Sequence, residues 1–187
     1  HGELFMFGAY LGFTLLVSTA LGGALPLGAA LVVLILAVMG AAAVLGLLIE
    51  RVAYRPLRRA NRLTVVVSAL GVSIFLQNAA MLLWGPRYRA YPAWALPEAR
   101  WNVAGLHLSL MQVVILAVAL GLMVALYVLI QRTMLGTAIR ATAIDHDTAR
   151  LMGINVDRII QFIFLIGPAL GAAAGVLLGL YYRQVHF

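Results

Sequence analysis

The sequence contains no cysteine and no lysine, and only six acidic residues among 187. Without cysteine, disulfides, thiol catalysis and cysteine metal sites are excluded. Its four histidines, at positions 1, 107, 146 and 186, have no metal-ligand spacing on a helix. No paired carboxylates lie within the apolar segments, and no Ser-His-Asp grouping can be assembled. No glycine loop of the phosphate-cradling type occurs either, so no catalytic site, metal or nucleotide is expected on this chain. Charge is scarce throughout: 10% of residues are charged and 64% are hydrophobic. A soluble domain carries about 25% charged residues, so this chain lacks the polar surface to coat itself in water.

What the chain has instead is long apolar runs. A helix crossing the hydrocarbon layer needs ~20 residues. Five segments approach or exceed that length: about Leu4–Leu21, Leu27–Ile49, Leu63–Trp84, Leu108–Ile130 and Ile159–Tyr182. The predicted fold is therefore all-α, a polytopic transmembrane helical bundle of about five spans within a single membrane domain. Gly22, Gly23 and Pro26 mark a turn between the first two segments. Pro56 is expected to break any helix through the loop Glu50–Arg62. Neither His1 nor Phe187 resembles a natural terminus, so the chain reads as an internal piece of a longer protein.

The net charge of +7 would suggest nucleic acid in a soluble chain. Here its distribution points elsewhere. Glu50–Arg62 and Gln131–Arg158 fall on the same side of five alternating spans and hold nine of the 13 arginines. The positive-inside rule places both in the cytoplasm. The opposite side collects Trp84, Tyr88, Tyr91, Trp94 and Trp101, as an interfacial belt or a short surface helix would.

Polar residues within spans are costly and therefore informative. Glu3, Gln77, Asn78, Gln112 and Gln161 are the candidates, of which Gln112 and Gln161 lie near span ends. Interhelical hydrogen bonding is the simpler role for Gln77 and Asn78. Glu3 admits two placements, at the interface or in a broken helix near the bilayer middle, with Gly2 loosening the backbone. In the last segment Gly167, Gly171, Gly175 and Gly179 recur every four residues and share a helix face. Small residues let helices approach closely in lipid, so this face is assigned to packing ahead of solute contact. Pro168, in its second turn, is a start or a kink.

The stretch Gln131–Arg158 carries the most detail. Thr137–Met152 reads as one short helix stopped by Gly153. Asn155 then caps the last span, with Asp157 in its first turn. A short cytoplasmic helix between two spans suits the docking of a soluble partner.

Asp147-Thr148-Ala149-Arg150-Leu151-Met152-Gly153 resembles the Glu-Ala-Ala, three residues, Gly loop of ABC-importer permeases. Ile163-Phe164-Leu165 follows at the family's spacing, with Ile166 in place of its Pro. His1-Gly2-Glu3, continuing to Gly8-Ala9-Tyr10, is similar to a signature of branched-chain amino acid permeases. So are Glu50–Leu57, Gly71–Asn78 and Leu151–Arg158. Gly136-Thr137-Ala138 stands where the family often has Gly-Arg-Ala. The order matches over essentially the whole chain, which resembles the LivH-like permease subunit of branched-chain amino acid ABC importers.

The resemblance implies a second permease subunit, two ATP-binding subunits carrying ATP and Mg, and a periplasmic substrate-binding protein. No nucleic acid is implied. It places the protein in the bacterial inner membrane, with His1, Gly2 and Glu3 near the translocation path and Gln77 and Asn78 as further candidates. It makes Asp147, Thr148, Ala149, Gly153, Asn155 and Asp157 a coupling loop for an ATPase. Urea and short-amide importers share much of this signature and remain an alternative. An ion-coupled secondary transporter needs intramembrane charges, and the spans offer almost none beyond Glu3.

Overall fold

The computed structural model describes residues 2–18, 27–57, 60–85, 89–90, 100–103, 106–182 and 184–185. It divides into two compact units: residues 1–99 with 165–187, and residues 100–164. Among the described residues, four helices are long and apolar enough to cross a membrane: Gly28–Leu57, Leu63–Trp84, Met111–Arg132 and Val156–Tyr182. The first apolar helix is described over 17 residues, Gly2–Ser18, the short end of what a span takes.

In the first unit, α1 (Gly2–Ser18) packs on α2 (Leu27–Ile49) and α3 (Arg62–Trp84). α2 carries no charge, and its buried residues Ala30, Leu34, Val38 and Ala42 recur every four positions. The same column continues to Glu50, which is only 1% exposed. Here the structure departs from the predicted loop. Helical winding persists as a π turn over Glu50–Tyr54 and a 3-10 turn over Arg55–Leu57. Pro56 has no N–H to offer the α pattern, so the winding is re-pitched around it rather than broken. The Arg55 N–H bonds to the Glu50 carbonyl across the widened turn. α3 ends at Gly85, whose φ of 80° is a left-handed conformation that glycine adopts without steric cost.

Close approach defines the contact of α1 with the final helix, α7 (Val156–Tyr182). A Cβ at Gly8 would stand 2.3 Å from the Ala172 Cα, and one at Gly175 would stand 2.1 Å from the Phe5 carbonyl oxygen. Backbones this near need glycine, as expected where burying apolar surface supplies no drive in lipid. Pro168 corrects the sequence reading. It lies buried inside a helix that already begins at Val156, well past the second turn. Two short strands, β1 (Arg89–Ala90) and β4 (Gln184–Val185), pair antiparallel at the ends of α3 and α7.

The second unit opens with an antiparallel pair, β2 (Arg100–Val103) and β3 (Leu106–Ser109), with Trp101 opposite Leu108. This stretch was expected to be an interfacial belt or a surface helix. Apolar residues alternate with polar ones at Trp101, Val103, Leu106 and Leu108, and that two-residue period favours strands. Tyr88, Tyr91 and Trp94 lie outside the described residues. Ser109 then caps α4 (Leu110–Arg132), accepting from the Met111 N–H at 3.3 Å. Gln112 returns its side-chain oxygen to the Ser109 N–H at 3.2 Å. Gln112 therefore closes a capping box, which accounts for a polar residue at the start of this span.

Candidate functional site

Two places gather the sequence candidates. The first is in the first unit, between α1 and α3. Glu3 sits in the first described turn of α1. Its Oε1 accepts hydrogen bonds from the Ser73 hydroxyl and, at 3.5 Å, from the Gln77 amide nitrogen. Ser73 and Gln77 are four residues apart, hence on one face of α3. With Gly2, Met6 and Met81, Glu3 and Gln77 line a depression of about 390 Å³. The structure thus joins Gly2, Glu3 and Gln77 but leaves Asn78 out. Asn78 donates to the Ile74 carbonyl of its own helix at 2.8 Å and is exposed, because one residue on from Gln77 is about 100° round the helix. His1 lies outside the described residues. Ser73 was missed as a partner of Glu3, although its four-residue spacing from Gln77 was a readable sign.

Aromatic packing holds these two helices further along. Trp84 stacks on Tyr10 at 5.3 Å and meets Phe7 edge-on at 5.6 Å. Its indole N–H donates to the Thr14 hydroxyl at 2.7 Å. The seam of α7 is not the glycine column alone. Gly175 packs against α1 and Gly179 is buried, but Gly171 has nothing within 4 Å of where a Cβ would stand and Gly167 is half-buried. The buried stripe runs instead through Pro168, Ala172, Val176 and Leu180. A strict four-residue repeat drifts around a helix of 3.6 residues per turn, so the glycines cannot all stay on the contact line.

The second place is the loop between α4 and α7. It holds two helices, α5 (Met134–Ile144) and α6 (His146–Leu151), rather than the single helix expected over 137–152. The break is at Asp145, whose backbone is extended at φ −154° and ψ 120°. Its side chain supplies what a new helix start needs. Oδ1 accepts from the Asp147 N–H at 2.9 Å and Oδ2 from the Thr148 hydroxyl at 2.6 Å. The Thr148 hydroxyl, followed by the backbone N–H groups of Asp147 and Thr148, holds the Asp145 carboxyl below its ordinary range. Asp145 was not among the sequence candidates; an Asp two residues before a Thr-Ala-Arg run was the signal for an N-cap.

α6 ends in a Schellman turn. The Ile154 N–H bonds to the Ala149 carbonyl at 3.1 Å and the Gly153 N–H to the Arg150 carbonyl at 3.0 Å. Gly153 takes φ 81°, so the stop read from sequence has a geometric cause. Asn155 Oδ1 accepts from the Arg158 N–H at 3.1 Å and caps α7, with Asp157 in the first turn. Ala149 is buried, whereas Asp147 projects into the open and approaches Arg150 at 3.8 Å. Ile144 and Leu151 are each 87% exposed and Met152 79%. Ala141, Ile144, Thr148, Ala149, Met152 and Ile154 are among the residues that line an apolar depression of about 300 Å³ there.

The elbow before this loop was also missed. Gly136 approaches the end of α4 so closely that a Cβ would fall 2.0 Å from the Ile130 carbonyl oxygen. The Arg140 guanidinium reaches back to that carbonyl and to Gln131 Oε1 at 3.1 Å, occupying the end of α4. An arginine thus serves this elbow although Thr137 stands where the resemblance would place one.

Long apolar helices, cytoplasm-type arginine loops and close small-residue packing together define a multi-pass helical membrane protein of transport type. The chain belongs to the family of branched-chain amino acid transport system permease components, whose model matches residues 1–187. It is 40% identical over 197 residues to the high-affinity branched-chain amino acid transport system permease protein BraD of Pseudomonas aeruginosa, covering 100% of this chain and 62% of that relative. It is 40% identical over 194 residues to the LivH permease proteins of Salmonella typhimurium and Escherichia coli K12, covering 100% of this chain and 61% of each. The chain therefore spans about three-fifths of the length of these relatives. No solved structure matches it.

Proposed function

We propose that this protein is a membrane-spanning permease subunit of an ATP-driven importer for branched-chain amino acids, in the bacterial inner membrane. A second permease subunit completes the translocation path, and ATP hydrolysis occurs on two partner subunits. A periplasmic binding protein delivers the substrate. The observation that carries this reading is the loop between α4 and α7. Exposed Ile144, Leu151 and Met152 surround a short capped helix on the arginine-rich side, and apolar groups so exposed in a polar loop suit a protein partner. The names of the 40%-identical relatives support the substrate.

Two measurements test it. Replacing Gly153 or Asp147 by Trp is expected to weaken co-purification with the ATP-binding subunits and to lower uptake. Normal association and uptake in both variants would overturn the docking role. In proteoliposomes, leucine uptake is expected to follow internal ATP and to survive proton and sodium ionophores. Uptake that persists with hydrolysis-dead ATPase subunits but collapses with an ionophore would overturn ATP drive.

A further inference from the structure

A carboxylate within an apolar helix costs about 2.5–3.5 kcal/mol on insertion scales when it lies at the helix centre. Glu3 is held beside α3 by two neutral donors. The Ser73 hydroxyl and the Gln77 amide orient its Oε1 but bring no positive charge to it. The depression that it faces is otherwise walled by Gly2, Met6 and Met81, none of which can be cationic. Methionine offers a flexible, polarizable apolar wall that adapts to varied aliphatic shapes. An anchored anion beside such a wall is complementary to a molecule with a positive nitrogen at one end and a branched hydrocarbon at the other.

We propose that Glu3 recognises the ammonium group of the transported solute, with Gln77 as a second polar contact and Met6 and Met81 against its aliphatic chain. This rests on the transport reading above and deepens it by naming the substrate group that this pocket selects. A hydrogen bond between opposite charges is roughly twice as strong as one between neutral groups. Gln77 keeps a carbonyl oxygen able to accept a further ammonium proton. A neutral amide such as urea meets the same carboxylate without the charge term and leaves the methionine wall uncovered. The pocket therefore favours a primary ammonium carrying a hydrocarbon chain over short neutral amides.

Absence of native cysteine makes the test clean on this subunit. In the full-length complex, Met81→Cys is labelled with a thiol reagent in the presence of leucine, 3-methylbutylamine, 4-methylpentanoate or urea. Leucine and the amine are expected to slow labelling at least three-fold, and the acid and urea to have no effect. Glu3→Gln is expected to abolish that protection, and Glu3→Asp to retain part of it. Equal protection by 4-methylpentanoate, protection unchanged in Glu3→Gln, or no protection by any of the four compounds would overturn the proposal. Leucine uptake by the wild-type complex is read in parallel and reports on the transport reading separately. If leucine is imported while Glu3→Gln leaves protection intact, only the ammonium assignment falls.

Discussion

Gly8 of α1 and Ala172 of α7 meet backbone to backbone, with 2.3 Å between the Ala172 Cα and the place a Gly8 Cβ would take. Two turns back along α1 the relation is reciprocated, Gly175 of α7 lying under the Phe5 carbonyl. The two contacts lock the helix bearing Glu3 to the helix that leaves the arginine-rich loop. Gly8→Val and Gly175→Leu are each expected to destabilise the protein by about 1–3 kcal/mol, since a side chain inserted against backbone has no flexible neighbour to displace. Thermal unfolding of the detergent-solubilised protein measures this. Gly171→Ala is the control: with open space at that position it should leave the midpoint unchanged.

The Trp84–Thr14 hydrogen bond, 2.7 Å long, crosses between α3 and α1 at the far end from Glu3. Interhelical bonds in membranes contribute about 0.6 kcal/mol on average, because the unfolded chain in lipid also finds partners. A double-mutant cycle with Thr14→Val and Trp84→Phe is expected to give a coupling energy of that order. Trp84→Ala should cost considerably more, because it also removes the ring packing on Tyr10 and Phe7.

Much of this arrangement is legible in the sequence, and the reason is period. Apolar runs fix the spans, and a four-residue spacing fixes which glycines can meet a neighbour. Gly153 and Asn155 were readable as stop and cap because their chemistry is local. What escaped was set by partners distant in sequence. Nothing near Ser73 announces that Glu3, 70 residues earlier, will lie against it. Nothing in Asp145 alone declares that it will end one helix and begin another, since an Asp in a polar loop satisfies either outcome. Gly171 shows the opposite error: it fits the glycine pattern, but the drift of the helix carries it off the contact.

Asp145 leads to a pH prediction. Its carboxyl is held below the ordinary value of 3.8, chiefly by the Thr148 hydroxyl. A depressed folded-state value means that the cap contributes fully above the unfolded value, near pH 4, and is lost as pH falls through the folded one. Thr148→Val is expected to move the Asp145 titration upward toward its ordinary value, read by carbon NMR of labelled aspartate. Loss of order in α6 on acidification should then begin at higher pH than in the wild type. At neutral pH the variant should keep a formed α6, because the Asp147 N–H still bonds to Oδ1.

Orientation provides the last prediction. The distribution of arginine puts both Glu50–Arg62 and Gln131–Arg158 on the cytoplasmic side, and both contain exposed positions. Ala60→Cys and Leu151→Cys each place one thiol in a chain that has none. Both sites are exposed, so neither substitution has to displace packed neighbours. A membrane-impermeant thiol reagent is expected to label both in inside-out vesicles and neither in right-side-out vesicles. Opposite labelling of the two sites would mean that the number of spans between them is odd. Since α3 and α4 are the helices that separate them, such a result would show that one of these two does not cross the membrane, whatever its length and composition. Labelling of both from the outside would leave the span count intact and reverse the topology, placing Ile144, Leu151 and Met152 where no ATP-binding subunit could reach them.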